Sequence, residues 1–155
     1  MNVAIQDRRS LQLLLSLFLL IVLTPFLENH PTGEFMLVIL IYLTLAASLL
    51  ELHGKETFRW LAIIVAIPAV PLLLAGLLHP VRWLVITGDV LLVAFFGISL
   101  VGLFSYLGGP GIITSGRVYA SVSLYLILAI FWSALYNMIE AIYPGSFVEQ
   151  FGYID

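Results

Sequence analysis

Apolar positions along this chain gather into five long runs, at 11–27, 35–52, 60–78, 83–104 and 118–142, separated by short polar gaps. Within each run the apolar residues cover every helical face. They do not follow the three-and-four spacing of a half-buried surface helix. They also lack the every-second-residue alternation of a membrane barrel strand. Each run is close to the ~20 residues that a helix needs to cross a ~30 Å hydrocarbon layer. In that layer backbone groups must satisfy one another, which makes each run a helix. The pattern predicts an all-α, polytopic membrane protein with five transmembrane helices.

The gaps between the runs carry turn residues. Glu28-Asn29-His30-Pro31-Thr32-Gly33-Glu34 closes the first run, Gly54-Lys55-Glu56 separates the second from the third, and His79-Pro80 makes a tight third turn. Pro68 and Pro71 fall inside the third run, so a kink or local unwinding is expected there. Gly108-Gly109-Pro110-Gly111 is the strongest helix-breaking cluster in the chain. It is expected to divide a four-helix unit at 1–107 from a linker at 108–117, a fifth helix at 118–143 and a tail at 144–155. Thr114 or Ser115 is the expected N-cap of that last helix.

Charge orients the spans. The chain has 155 residues, of which 62% are hydrophobic and 10% charged, and only six are Lys or Arg. With the N-terminus inside, Arg8, Arg9, Lys55, Arg59 and Arg117 fall on the cytoplasmic side and serve as interface anchors, and Arg82 alone lies outside. Basic residues collect on the cytoplasmic face of short loops, so N-in, C-out topology in the cell membrane is expected. Arg8-Arg9 and the apolar run after them imitate a signal peptide. The run ends in Thr24-Pro25-Phe26-Leu27-Glu28 without a small-residue cleavage pattern, so an uncleaved first span is expected. There is no basic patch for nucleic acid. There is no cysteine for a disulfide, a thiolate metal site or a nucleophile.

Candidate chemistry is sparse. Asp89 is the only acid well inside a run, about two turns (~10 Å) from Arg82. A carboxylate in hydrocarbon must be paired, wetted or protonated. Asp89 is therefore either part of an ion or proton pathway, or a helix-end acid bonded to Thr87 or to neighbouring Tyr and Trp groups. Ser133, Asn137 and Glu140 are spaced i, i+4, i+7 and share one face of the fifth helix. That face either lines a polar pathway or holds helices together by hydrogen bonds. Glu51 and His53 are expected to form an interface network with Lys55 and Arg59. His30 and His79 are weak metal ligands without an acid or a thiol beside them, and no metal or cofactor is expected. No Walker loop, HExxH, GxSxG or CxxC occurs, so no enzyme is expected.

The segment 114–155, TSGRVYASVSLYLILAIFWSALYNMIEAIYPGSFVEQFGYID, resembles the helix before the pore loop in prokaryotic potassium-channel-like membrane proteins. The resemblance rests on the Arg117-Val118-Tyr119 entry, Trp132, the Asn137/Glu140 pair and Pro144-Gly145-Ser146-Phe147. It implies an ion-transport protein with a voltage-sensor-like four-helix bundle and one separate pore-type helix. That family continues with a pore helix, a filter and an inner helix, none of which lies within this sequence. The resemblance thus implies the N-terminal two-thirds of such a channel, not conducting alone. The fourth run has no Arg or Lys at every third position, so no gating-charge helix is expected. Besides the lipid bilayer, the implied partner is a second copy through the fifth helix. Two other readings stand beside this one: a small proton- or ion-coupled transporter using Asp89, and a non-transporting interaction subunit.

Overall fold

The structure, a computed structural model, describes residues 3–27, 33–52, 56–79, 81–109, 114–143 and 145–146. It contains five helices: α1 Val3–Leu27, α2 Gly33–Glu51, α3 Glu56–Leu78, α4 Arg82–Leu107 and α5 Ser115–Ile142. Four of them contain spans long and apolar enough to cross a membrane: Ile5–Leu27, Glu56–Gly76, Arg82–Leu107 and Ser115–Ile142. The apolar stretch of α2, Phe35–Glu51, is shorter. Large apolar side chains point outward along the whole bundle, among them Phe18, Phe26, Ile39, Ile64, Ile67 and Phe104. A water-facing surface of this kind is unfavourable by tens of calories per Å², whereas lipid tails cover it without cost.

The helices close a loop. α1 packs on α2, α3 on α4, α4 on α5, and α5 back on α1, with slighter contact of α2 to α3 and α4. Phe95 and Phe96 sit edge to face at the centre, with Leu13, Leu17, Leu45, Leu103 and Ile127 around them. α5 contributes its small residues, Gly116, Ala120, Ser123 and Ala134, to the inner side. Small residues let membrane helices approach closely, and packing rather than water exclusion holds them there.

Two expectations change. The fifth helix does not stand apart from a four-helix unit: it is wedged between α1 and α4. Electrostatics at its ends explains why. The Asp7 carboxylate of α1 accepts a 2.8 Å bond from the Gly116 N–H. At the other end the Arg82 guanidinium of α4 donates to the carbonyls of Ala141 (3.2 Å) and Ile142 (2.7 Å). An anion meets the positive end of the helix dipole and a cation meets its negative end. The start of α5 is Ser115, inside the segment expected as linker, with Thr114 as N-cap accepting from the Arg117 N–H at 3.4 Å.

The second change concerns α3, which is continuous through Pro68 and Pro71. Each proline removes a donor from the helix ladder. The Tyr42 hydroxyl of α2 donates to the Val70 carbonyl at 2.5 Å, tying α2 to this part of α3.

Candidate functional site

The two ends of the bundle differ. At one end the starts of α1, α3 and α5 meet the ends of α2 and α4, and Arg8, Arg9, Arg59 and Arg117 lie here. Lys55 and His53 fall outside the described residues. Glu51, which ends α2, is 5% exposed. One of its carboxylate oxygens accepts from Ser10 Oγ (2.8 Å) and Gln6 Nε2 (3.3 Å), and the other is buried without a partner. Among the described residues Glu51 is bonded to Ser10 and Gln6 rather than to Arg59. Arg59 pairs instead with Glu56 at 2.9 Å, one turn away on its own helix. Arg117 lies 5.9 Å from the centre of the Tyr106 ring and donates to the Gly109 carbonyl at 2.6 Å, linking the end of α4 to the start of α5.

Between this end and the middle of the bundle the core carries hydroxyls. Ser48 donates to Ser99 across α2 and α4 at 2.9 Å. Thr44 and Ser16 turn inward onto carbonyls of their own helices. Ser123 Oγ is buried without a partner.

The end that holds Arg82 contains a cavity of about 410 Å³ bounded by α1, α2, α4 and α5. This brings together residues that lie far apart in sequence. Asp89 of α4 and Ser133 and Asn137 of α5 line it, with Thr24 of α1 and an otherwise apolar wall. Asp89 is not bonded to Thr87, whose hydroxyl donates to the Trp83 carbonyl at 2.7 Å. Among the described residues nothing hydrogen-bonds or ion-pairs with the Asp89 carboxylate. No Lys or Arg lines the cavity.

Glu140 departs from the polar stripe. Its Oε1 accepts from the Gly145 N–H at 2.6 Å, so it closes the turn after α5 rather than facing the cavity. Gly145 has φ 87°, the left-handed conformation that glycine accommodates freely. Its N–H is thereby turned toward the Glu140 side chain.

The residues of these arrangements that local sequence patterns missed are Asp7, Gln6, Ser10 and Thr24. Asp7 precedes Arg8-Arg9 and reads as part of a charged flank, although an acid beside a basic anchor pair is itself a signal of a specific partner. The described residues contain no group of three or more His, Asp or Glu able to hold a metal ion. The chain matches no protein-family model, no curated protein and no solved structure.

Proposed function

We propose that this chain is a multi-pass protein of the cell membrane, with its N-terminus in the cytoplasm, and that it belongs to an ion-transport assembly of potassium-channel-like type. All five helices cross the bilayer, α2 by the shortest path. α5 serves as the outer pore-type helix, and α1 and α4 hold it in place. The observation that carries this reading is the two-sidedness of α5. Its small residues face α1 and α4, while Tyr125, Leu128, Trp132, Tyr136, Ile139 and Tyr143 form one exposed stripe along the opposite side. Their spacing of three and four residues puts them on one continuous face of the helix, which is the face proposed to meet a second copy. Tyr125 is 71% exposed, Trp132 52% and Tyr136 51%. The orientation rests on the clustering of Arg8, Arg9, Arg59 and Arg117 at one end.

Self-association through this seam is the test. Chemical crosslinking and sedimentation in mild detergent should give an oligomer. Replacing Tyr125 and Trp132 by Ala should dissociate it while leaving the helix content unchanged. A chain that is monomeric before and after the substitutions refutes the reading.

A second reading, ion- or proton-coupled transport through Asp89, is favoured by a separate observation: Asp89, Ser133 and Asn137 share one cavity. Flux of potassium, sodium and protons into proteoliposomes, with Asp89→Asn as the comparison, decides between passage through this site and none.

A further inference from the structure

The cavity has a shape that neither reading requires. α1 and α5 are in backbone contact at the Arg-rich end, where a Cβ on Gly116 would lie 3.2 Å from the Asp7 Cα. Toward the Arg82 end they part. The wall residues differ in how far they are covered. Leu20, Phe96 and Ala134 are buried and form the floor. Pro25 and Ile21 on α1, and Ala129, Ser133 and Asn137 on α5, are exposed although they line the same space. The two exposed rows face each other across the gap. The cavity is therefore a cleft that opens sideways between α1 and α5, toward the surface that lipid covers.

Its chemistry is equally lopsided. The wall is mostly apolar and supplied by Leu20, Ile21, Leu37, Ile41, Leu92 and Ile130. Set into it is one carboxylate, Asp89, with no cationic partner among the described residues. Asn137 and Ser133 add an amide and a hydroxyl on the facing helix. A lone carboxylate at this depth needs a counter-charge or water. A primary ammonium group has three donors and matches a carboxylate with an amide oxygen and a hydroxyl oxygen beside it. The apolar wall fits a hydrocarbon body, and about 410 Å³ lies within the ~300–1,000 Å³ of small-molecule sites. An anion is repelled by Asp89. A small hydrophilic cation leaves the apolar wall bare.

We propose that the cleft between α1 and α5 is a binding site for an amphiphilic primary amine that enters from the lipid, with its ammonium group on Asp89, Asn137 and Ser133 and its hydrocarbon body against α1 and α2. The proposal concerns binding, so it stands or falls apart from self-association and ion flux.

The test uses the full chain in nanodiscs of zwitterionic lipid, with radiolabelled decylammonium as probe and empty nanodiscs as the partition blank. Wild type should bind saturably. Asp89→Asn, which keeps shape but removes the charge, should weaken binding about tenfold or more. Ala129→Trp should block the mouth, with circular dichroism and size-exclusion profiles matching wild type in both variants. Methylammonium and decanoate should compete poorly. Binding equal in wild type and Asp89→Asn overturns the proposal. Competition by decanoate as strong as by decylammonium reduces the cleft to an apolar groove, and strong competition by methylammonium makes it a hydrophilic cation site. Either result rejects the amphiphile. Parallel flux measurements keep the readings apart: decylammonium binding without flux leaves this inference standing and removes the transport reading, and flux without binding does the reverse.

Discussion

Two glycines in this bundle should respond in opposite directions to the same added methyl group. Gly116 opens α5 against α1. A Cβ there would collide with the Asp7 carboxylate oxygen and lie 3.2 Å from the Asp7 Cα and 3.4 Å from its Cγ. The Asp7 Cα is anchored in α1, so the helices must separate or the carboxylate must leave. Either way the 2.8 Å bond from the Gly116 N–H is lost. A hydrogen bond to a charged group contributes ~1.5–3 kcal/mol. Gly97 lies inside α4, where a Cβ would meet only the Phe131 ring edge at 3.6 Å, an ordinary contact. There Ala should gain up to ~1 kcal/mol of helix propensity over Gly. Gly116→Ala should therefore fall below Gly97→Ala by about 1.5–3 kcal/mol, because the propensity gain is common to both helices and the lost bond is not. Unfolding by SDS in mixed micelles, followed by far-ultraviolet circular dichroism, measures both variants under one condition. Asp7→Ala completes a double-mutant cycle with Gly116→Ala, and the pair should lose little more than either alone because both remove the same contact. If Gly116→Ala matches or exceeds Gly97→Ala in stability, the close approach of α1 and α5 is wrong.

Other consequences can be measured separately. Ser48→Ala and Ser99→Ala should each weaken the bundle by about 0.6 kcal/mol, with a coupling of the same size, as is usual for hydroxyl bonds between membrane helices; a cycle with zero coupling would remove the Ser48–Ser99 bond. Glu51→Ala removes the acceptor of Gln6 and leaves Ser10 only its 3.2 Å bond to the Gln6 carbonyl, so it should lower stability by about 1–3 kcal/mol, whereas Glu51→Gln keeps an acceptor and should be milder, a ranking that SDS unfolding reads directly. Arg82→Gln should speed amide hydrogen exchange at 139–142 without changing it at 116–120, because the guanidinium holds only the far end of α5. A cysteine placed at Arg8, which is exposed, should be shielded from impermeant thiol reagents in intact cells and those placed at 28–34 should react; the reverse pattern inverts the topology.

The helices themselves were legible because each is a continuous apolar run, and burial in lipid demands helix whatever lies next to it. The N-cap at Thr114 was legible for the same reason, being a local event. What escaped was long-range. The Gly108–Gly111 cluster reads locally as a break, and nothing local reports that Asp7 and Arg82 secure the helix beyond it. The two prolines of α3 read as a kink or local unwinding, yet the helix is continuous through both, and the Tyr42 donor to Val70 arrives from another helix. Asp89 and Ser133/Asn137 stood out separately as polar residues in apolar runs. Their meeting in one cavity depends on α4 and α5 being neighbours, which hydropathy does not encode. Glu140 illustrates the limit of helical spacing: it shares the stripe by register, yet the glycine turn beyond the helix takes its carboxylate.

The contact between Asp7 and Gly116 spans 109 positions of the chain. A ribosome adding ~5–20 residues per second needs about 5–20 s to cover that interval. For the later part of that time α1 is complete while the flank that α5 covers is still bare and the Asp7 acid at its end lacks its partner. α1 and α2 can pair early, and α3 and α4 can pair as they emerge, but the ring closes only when the last helix inserts. Until then the bare flanks of α1 and α4 are open to lipid, to chaperones of insertion or to another nascent copy. The first helix made is thus the last to gain its full set of neighbours.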